Sequence, residues 1–251
     1  MVSISGSANQ RNWQAVVLAG GLATRMRPRT QHVPKLLLNV GGKPFAEHLI
    51  KQLKRCGASE VVLCIGHLGQ AIRDALGNGN RFGVHILYSD EGDTLLGTGG
   101  AVKHAAPLIR DTFVLTYGDS FLPFDYHAPL EDLEAHPNAL GTMAVYKNAD
   151  TLDVSNCVVL GTFVVRYEKR LKGSPRDPQM DHIDYGATAL RKQVIDELPS
   201  GVHIDFADVQ SRLAQAGRLR AYTSADRFYE IGSEAGLADF EAFVQSQRGP
   251  K

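Results

Sequence analysis

No stretch of about eighteen consecutive apolar residues occurs in this 251-residue sequence, so no segment reads as a membrane-spanning helix. The opening residues, Met1 to Trp13, lack the apolar core of a signal peptide, and a cytoplasmic location is expected. Cysteine is scarce: Cys56, Cys64 and Cys157 are odd in number and scattered. That spacing excludes a disulfide framework and a cysteine-rich metal site, and fits reduced thiols. Net charge is also missing, with 27 Lys and Arg against 27 Asp and Glu. A neutral chain offers no general field to a polyanion, so neither nucleic acid nor a membrane surface is an expected partner. The 43% hydrophobic and 22% charged content excludes disorder and fibrous repeats. A chain of this length can bury roughly 75% of its unfolded surface.

Familiar chemical motifs are missing too. There is no G-x-x-x-x-G-K-[ST] loop, and Gly97-Thr98-Gly99-Gly100 runs into Ala101-Val102, failing G-x-G-x-x-G. The nine histidines include no H-E-x-x-H pair, and Gly118-Asp119-Ser120 lacks the flanking glycines of a nucleophile elbow. Kinase, classical dehydrogenase, zinc hydrolase and serine hydrolase readings all lose ground. No internal repeat and no low-complexity linker is found.

One absence is local. Asp and Glu do not occur before Glu47, whereas Arg11, Arg25, Arg27, Arg29, Lys35 and Lys43 do. The first 46 residues therefore carry +6 and the remainder −6. A basic stretch in a neutral protein suits a small anionic ligand.

The hydrophobic pattern turns these residues into elements. Ala15 to Ala19 and Glu60 to Ile65 are short apolar runs that read as buried strands, as do Val84 to Tyr88 and Thr112 to Tyr117. Helical faces cover Phe45 to Cys56, closed by Gly57, then Leu68 to Leu76 and Gly99 to Ile109. Strand and helix alternating at this spacing predict an α/β fold, a parallel sheet covered on both faces. After Gly141 strands dominate: Thr142 to Tyr146, a pair within Val158 to Tyr167, and Tyr185 to Leu190. Helices return at Phe206 to Gln215 and Gly236 to Gln245. The simplest organisation is a loose tail over 1–13 and one domain over 14–251. Within it a half of alternating strands and helices spans about 14–140, a strand-rich half about 141–235, and a closing helix 236–247.

Ligands in open α/β sheets bind beyond the carboxyl ends of the strands. The first such end is Leu18-Ala19-Gly20-Gly21-Leu22-Ala23-Thr24-Arg25, with Lys35 following Pro34. Paired glycines let backbone N–H groups approach an anion, and arginine presents a fork suited to phosphate oxygens. The second end is Tyr117-Gly118-Asp119, where a carboxylate is placed to hold Mg2+ on phosphate oxygens, or simply to cap a helix.

These residues match a known family. Gly20 to Thr30 with Pro34-Lys35 resembles the signature G-G-x-G-T-R-x-x-P-x-T…P-K of sugar-1-phosphate nucleotidylyltransferases. The resemblance continues through Gly41-Gly42-Lys43-Pro44, Leu96 to Ala101, Gly118-Asp119, Glu168-Lys169 and Tyr229-Glu230-Ile231-Gly232, over about 14–245. Tyr117 to Ser120 and His182 to Gly186 are most similar to the subgroup of D-glycero-D-manno-heptose-1-phosphate guanylyltransferase-like proteins. The fold implied is a Rossmann-like three-layer αβα sandwich with a central, mostly parallel mixed sheet.

The resemblance also implies roles. Arg25 would hold the departing phosphates, Lys35 would neutralise charge at the α-phosphate, and Asp119 would ligate Mg2+, the implied cofactor. Leu18, Ala19, Gly20, Gly21, Thr24, Arg25, Glu91, Gly97 and Thr98 would form the nucleotide site. Glu168 would bind sugar hydroxyls and Lys169 the sugar phosphate, although a solvated strand-end pair is the plain alternative. Asn156, His182, Asp184 and Gly186 complete the sugar-site candidates, and His182 equally reads as an ordinary hydrogen-bonded side chain. Glu230 stands where the family has a second metal-ligating aspartate, or is an edge-strand charge. Ala23 replaces the family's third glycine; its methyl either pushes the nucleotide outward or is tolerated at a negative φ.

Glu91 also informs the choice of base. A carboxylate accepts side by side from N1–H and the N2 amine of guanine, whereas uracil, thymine and adenine present no such donor pair. GTP is therefore the favoured NTP, with Asp93 as an alternative reader. The expected partners are an NTP and a sugar 1-phosphate, and the chain neither requires nor excludes a homo-oligomer. Two other readings stay open. One is a uridylyltransferase acting on N-acetylmuramate 1-phosphate or a hexose 1-phosphate. The other is a non-catalytic regulatory subunit that binds nucleotide or sugar phosphate.

Overall fold

A computed structural model describes residues 11–170 and 173–247. Most of the expected tail lies outside the described residues. Trp13 already belongs to the first strand, and its indole N–H donates to the Cys56 carbonyl at 3.0 Å.

Strand β1 (Trp13–Leu18) runs into the glycine loop and then a small hairpin, β2 (Asn39–Val40) and β3 (Lys43–Pro44). Then come α1 (Phe45–Arg55), β4 (Ala58–Ile65), α2 (Gly69–Leu76), β5 (His85–Asp90), α3 (Gly97–His104) and β6 (Thr112–Tyr117). β7 (Ser120–Phe121) and α4 (Ala128–Ala135) precede β8 (Gly141–Lys147), β9 (Cys157–Leu160), β10 (Phe163–Tyr167) and β11 (His182–Arg191). The rest is α5 (Gln193–Asp196), α6 (Phe206–Gln215), β12 (Leu219–Ser224), β13 (Tyr229–Glu230) and α7 (Glu234–Ser246).

Nine strands form one sheet in the order β5-β4-β1-β6-β11-β8-β12-β10-β9. Only β10 and β11 run against the others, so the sheet is mixed and mostly parallel. The strand-rich stretch after Gly141 continues this same sheet, with β11 antiparallel between β6 and β8. β7 and β13 make a separate two-stranded ribbon.

Side chains explain the layers. In β1, Ala15 and Val17 enter one core with α1, α2, α4 and α7, while Val16 enters the other with α3, α5 and α6. All three are fully buried, which is why the Ala15 to Leu18 run of β1 is continuously apolar rather than alternating. In α1 the apolar face is Phe45, Ala46, Leu49, Ile50 and Leu53, all buried, and the four large side chains are each worth roughly 1.5–3 kcal/mol of transfer free energy. Helix starts are capped by side chains: Asp205 accepts from Ala207 N–H at 3.1 Å, and Ser233 from Gly236 N–H at 3.0 Å. The three cysteines are buried and unpaired.

The topology positions the site. Parallel β1, β4, β5 and β6 bring their carboxyl ends to one edge of the sheet. Because β11 is antiparallel to β6, with Ala187 opposite Thr116, its first residues, His182 to Gly186, emerge at that same edge. Among the described residues, no helix is long and apolar enough to cross a membrane.

Candidate active site

A cavity of about 480 Å³ opens beyond the carboxyl ends of β1, β5 and β6. Its wall includes Leu18, Ala19, Gly20, Gly21 and Thr24 from the loop after β1, together with Lys35 and Asp119. Glu91 and the α3 residues Gly97 and Thr98 also line it, so of the expected nucleotide set Arg25 alone is absent from the wall. Leu22, Ala23, Ala101, Tyr117 and Gly118, which stand in the same motifs without an assigned binding role, also face it, and sequence reasoning missed Leu36, Leu95 and His203. Most of these directly flank recognised motif residues. His203 carries no such signal and arrives from a segment remote in sequence, beside Ile204, which is bonded to α3.

Two strand ends meet because of Gly118. Its N–H donates to the Leu18 carbonyl at 2.8 Å, and a Cβ there would stand 2.8 Å from that same oxygen. Any larger residue would push β6 away from the glycine loop. The close approach places Asp119 beside the loop, and Lys35 reaches in to donate to Asp119 Oδ2 at 2.9 Å.

Glu230 joins them through the ribbon. It pairs with Ser120 across β7 and β13, and Ile231 N–H donates to the Asp119 carbonyl at 2.9 Å. A methyl group on Gly232 would lie 2.8 Å from Glu230 Oε2, 3.4 Å from Lys35 Nζ and 3.7 Å from Asp119 Oδ2. Two carboxylates and one ammonium therefore crowd around a single backbone position. Glu230 is also used locally: its Oε1 accepts the Ser233 hydroxyl at 2.6 Å and its Oε2 accepts Gly232 N–H. Each oxygen retains a lone pair, and a donor set of carboxylates alone suits a hard divalent cation. Among the described residues no group of three or more His, Cys, Asp or Glu could hold a metal. Two carboxylates match the way Mg2+ is held when phosphates and water supply the remaining ligands.

Arg25 occupies a short 3-10 turn, Thr24–Met26, and is exposed outside the cavity wall. Arg29 is tied to Glu234 at 2.9 Å, whereas Arg25 makes no ion pair or hydrogen bond among the described residues. Next to Thr24 of the cavity wall in sequence, this long and exposed guanidinium is available to an anion. Ala23 corrects an expectation. Its φ is +49° and ψ +37°, the left-handed region, so the methyl group is tolerated there at a cost and not because φ is negative. The loop is held by the Thr30 hydroxyl, which donates to the Ala23 carbonyl at 2.8 Å.

Glu91 sits where the loops after β1, β4 and β5 converge. A Cβ on Gly20 would come within 2.9 Å of its Oε1, and Leu96 N–H donates to its Oε2 at 3.3 Å. Burial raises its pKa above the ordinary carboxylate value, with the Leu96 hydrogen bond opposing.

The sugar-site candidates lie just before β9, just after β10 and at the start of β11, outside the cavity wall. Asp184 has both oxygens engaged, Oδ1 accepting Gly186 N–H and Oδ2 accepting Gln210 Nε2–H, each at 2.9 Å. Burial raises its pKa. Asn156 Oδ1 accepts Asp184 N–H at 2.8 Å. This network holds the register break between Asp184 and Thr188, where Gly186 takes φ +97°. His182 Nδ1 lies 2.6 Å from Asp181 Oδ1. Glu168 is exposed, 3.5 Å from Arg166, and Lys169 is paired with Asp205.

A model of the nucleotidyl transferase family matches residues 14–153. The chain belongs to this family. Its relatives include a D-glycero-alpha-D-manno-heptose 1-phosphate guanylyltransferase from Campylobacter jejuni, 33% identical over 223 residues, covering 87% of this chain and 94% of that protein. An N-acetylmuramate alpha-1-phosphate uridylyltransferase from Neisseria meningitidis is 38% identical over 125 residues, 49% of this chain and 54% of that protein. The chain thus spans a little over half the length of several curated relatives it matches. The fold is shared with the crystal structure of HddC from Yersinia pseudotuberculosis, at a TM-score of 0.77 and 22% identity over 92% of this chain and 99% of that one.

Proposed function

We propose that the chain transfers a nucleoside monophosphate from an NTP, with GTP favoured, to a sugar 1-phosphate. Pyrophosphate is released, and the NDP-sugar formed serves envelope or capsule glycan synthesis. The observation that carries this reading is the meeting of Lys35, Asp119 and the Gly20-Gly21 loop on the wall of one cavity that also holds Glu91.

In the reaction a sugar-phosphate oxygen forms a bond to the α-phosphorus as the bond to the bridging oxygen breaks. The electron pair leaves with pyrophosphate. The attacking phosphate has a second pKa near 6, so it is ionised at neutral pH and no general base is needed. The work is positioning and charge neutralisation. Backbone N–H groups at Gly20 and Gly21 and the Lys35 ammonium receive the triphosphate, and the free guanidinium of Arg25 pairs with the departing phosphates. Asp119 and Glu230 would hold Mg2+, which when bound neutralises phosphate charge at the reacting centre. Lys169 receives the sugar phosphate, and Glu168 the sugar hydroxyls. Asn156, His182, Asp184 and Gly186 shape that end of the site.

Glu91 favours guanine, because its carboxylate can accept from two adjacent donors that uracil lacks. The Campylobacter relative, a guanylyltransferase covered over 94% of its length, supports the choice. A second reading, a uridylyltransferase using N-acetylmuramate 1-phosphate, draws on the 38% identity to the Neisseria protein. The test is pyrophosphate release from each of four NTPs with heptose, hexose and N-acetylmuramate 1-phosphates, with and without Mg2+. GTP should give the highest rate. UTP leading with N-acetylmuramate 1-phosphate would establish the second reading, and no release with any pair would leave a non-catalytic binding subunit.

A further inference from the structure

Asp205 lies outside the cavity wall, yet three groups from separate elements converge on its carboxylate. Its Oδ1 accepts Ala207 N–H at 3.1 Å and the Thr98 hydroxyl at 3.2 Å, while Oδ2 pairs with Lys169 Nζ. Thr98 returns the contact by accepting Phe206 N–H at 2.8 Å. Backbone bonds fasten the same segment to α3: Gly99 N–H donates to the Ile204 carbonyl at 2.8 Å, and Ile204 N–H to the Leu96 carbonyl at 2.9 Å. Asp205 is thus fixed to the helix whose first residues, Gly97 and Thr98, line the nucleotide cavity. Its other oxygen reaches the cation that follows β10.

We infer that Asp205 is a positioning residue, which holds the Lys169 ammonium in register with α3 so that the sugar-phosphate cation is aligned with the bound nucleotide. The inference rests on reading Lys169 as the sugar-phosphate cation. Lys169 is 62% exposed by its side chain, and an unpartnered lysine there would spread over many rotamers. One ammonium hydrogen goes to Asp205, leaving two for phosphate oxygens. Burial opposes ionisation of Asp205, but the bonds from Lys169, Ala207 and Thr98 outweigh it and hold its pKa below the ordinary value. The Asp205 carboxylate is therefore ionised at neutral pH.

The test is steady-state kinetics of Asp205→Asn, Lys169→Met and the double variant, with KM measured separately for NTP and sugar 1-phosphate. Asparagine caps a helix as well as aspartate does and its Oδ1 still accepts from Thr98 and Ala207, so what is lost is the anionic acceptor facing Lys169. Asp205→Asn should raise KM for the sugar 1-phosphate about five- to tenfold, leave KM for the NTP within about twofold, and add nothing in the Lys169→Met background. Asp205→Glu should recover part of the loss. If Asp205→Asn melts early, Asp205→Ser, also a good cap, makes the same comparison. An unchanged or lowered KM in the Asp205 variants, with Lys169→Met still raising it, would overturn the inference and spare the role of Lys169. If Lys169→Met itself leaves that KM unchanged, the assignment of Lys169 fails and the inference falls with it.

Discussion

Lys35 Nζ donates to Asp119 Oδ2 across 2.9 Å, joining a cation from the basic N-terminal stretch to the carboxylate at the end of β6. Without ligands each group satisfies the other, so neither faces the cavity as a lone charge. The proposed function gives the ammonium to the triphosphate and the carboxylate to a divalent cation.

Removing either partner should be costly. Lys35→Met and Asp119→Asn should each lower kcat by about 10²–10³, the loss typical of one electrostatic group at a reacting centre. The double variant should lose less than the product of the two, because the groups act together. Pyrophosphate release, with melting curves as the folding control, checks this; a loss under about tenfold in both would contradict it.

Glu91 predicts a pH effect as well as a mutational one. Burial raises its pKa, so protonation begins at a higher pH than for an ordinary carboxylate. As pH falls toward that raised value, KM for GTP should climb more steeply than KM for UTP. Stability runs the other way: the contribution of Glu91 is full below the ordinary value and is lost as pH rises through the raised one. Glu91→Gln should flatten the GTP profile and lower GTP-over-UTP discrimination about tenfold or more. Unchanged discrimination would reassign the base reader, with Asp93 next in line.

Ala23→Gly should stabilise the protein. The left-handed φ of +49° costs alanine about 1–2 kcal/mol, partly offset by the extra unfolded-chain freedom of glycine. The net gain should be about 0.5–1 kcal/mol, read as a rise of a few degrees in Tm. A fall in Tm would show that the methyl group makes compensating contacts.

The pair between Asp132 and Arg220 anchors β12. Arg220 donates through Nε at 2.8 Å to Oδ2 and through Nη2 at 3.0 Å to Oδ1, and the Thr142 hydroxyl adds a bond at 2.9 Å. Both side chains are largely buried, so Arg220→Met should cost about 3 kcal/mol by stranding Asp132. Burial opposes ionisation of Asp132, but the Arg220 and Thr142 bonds win and its pKa is lowered. Its contribution is therefore present above the ordinary carboxylate value and lost as pH falls through the lowered one. Denaturant titrations of wild type and Arg220→Met across that acid range should converge at the low end.

That same pair shows where sequence reading stops. β1, β4 and β6 are continuous apolar runs and were legible, and α6 runs from Phe206 to Gln215 as its periodicity predicts. β12, Leu219–Ser224, was not, because a buried arginine interrupts its pattern and the compensating Asp132 is remote in sequence. α4 was missed behind Pro129 and two weak turns. The convergence of Gly20, Gly21, Lys35 and Asp119 on one cavity was legible because they lie in compact motifs at strand ends. The hydrogen-bond partners of Asp184 and Asn156, and the arrival of His203 at the cavity and of Asp205 at Thr98, depend on tertiary packing between segments remote in sequence.

The central claim is transfer of the nucleoside monophosphate, and the most direct measurement follows the phosphorus. GTP labelled either at the α- or at the γ-phosphate is incubated with the protein, Mg2+ and a sugar 1-phosphate. The account predicts that the α label appears in a nucleoside-diphosphate sugar and the γ label in pyrophosphate, in equal amounts. Label released only as GMP, GDP or inorganic phosphate, or no turnover of any NTP with any sugar 1-phosphate, would contradict it.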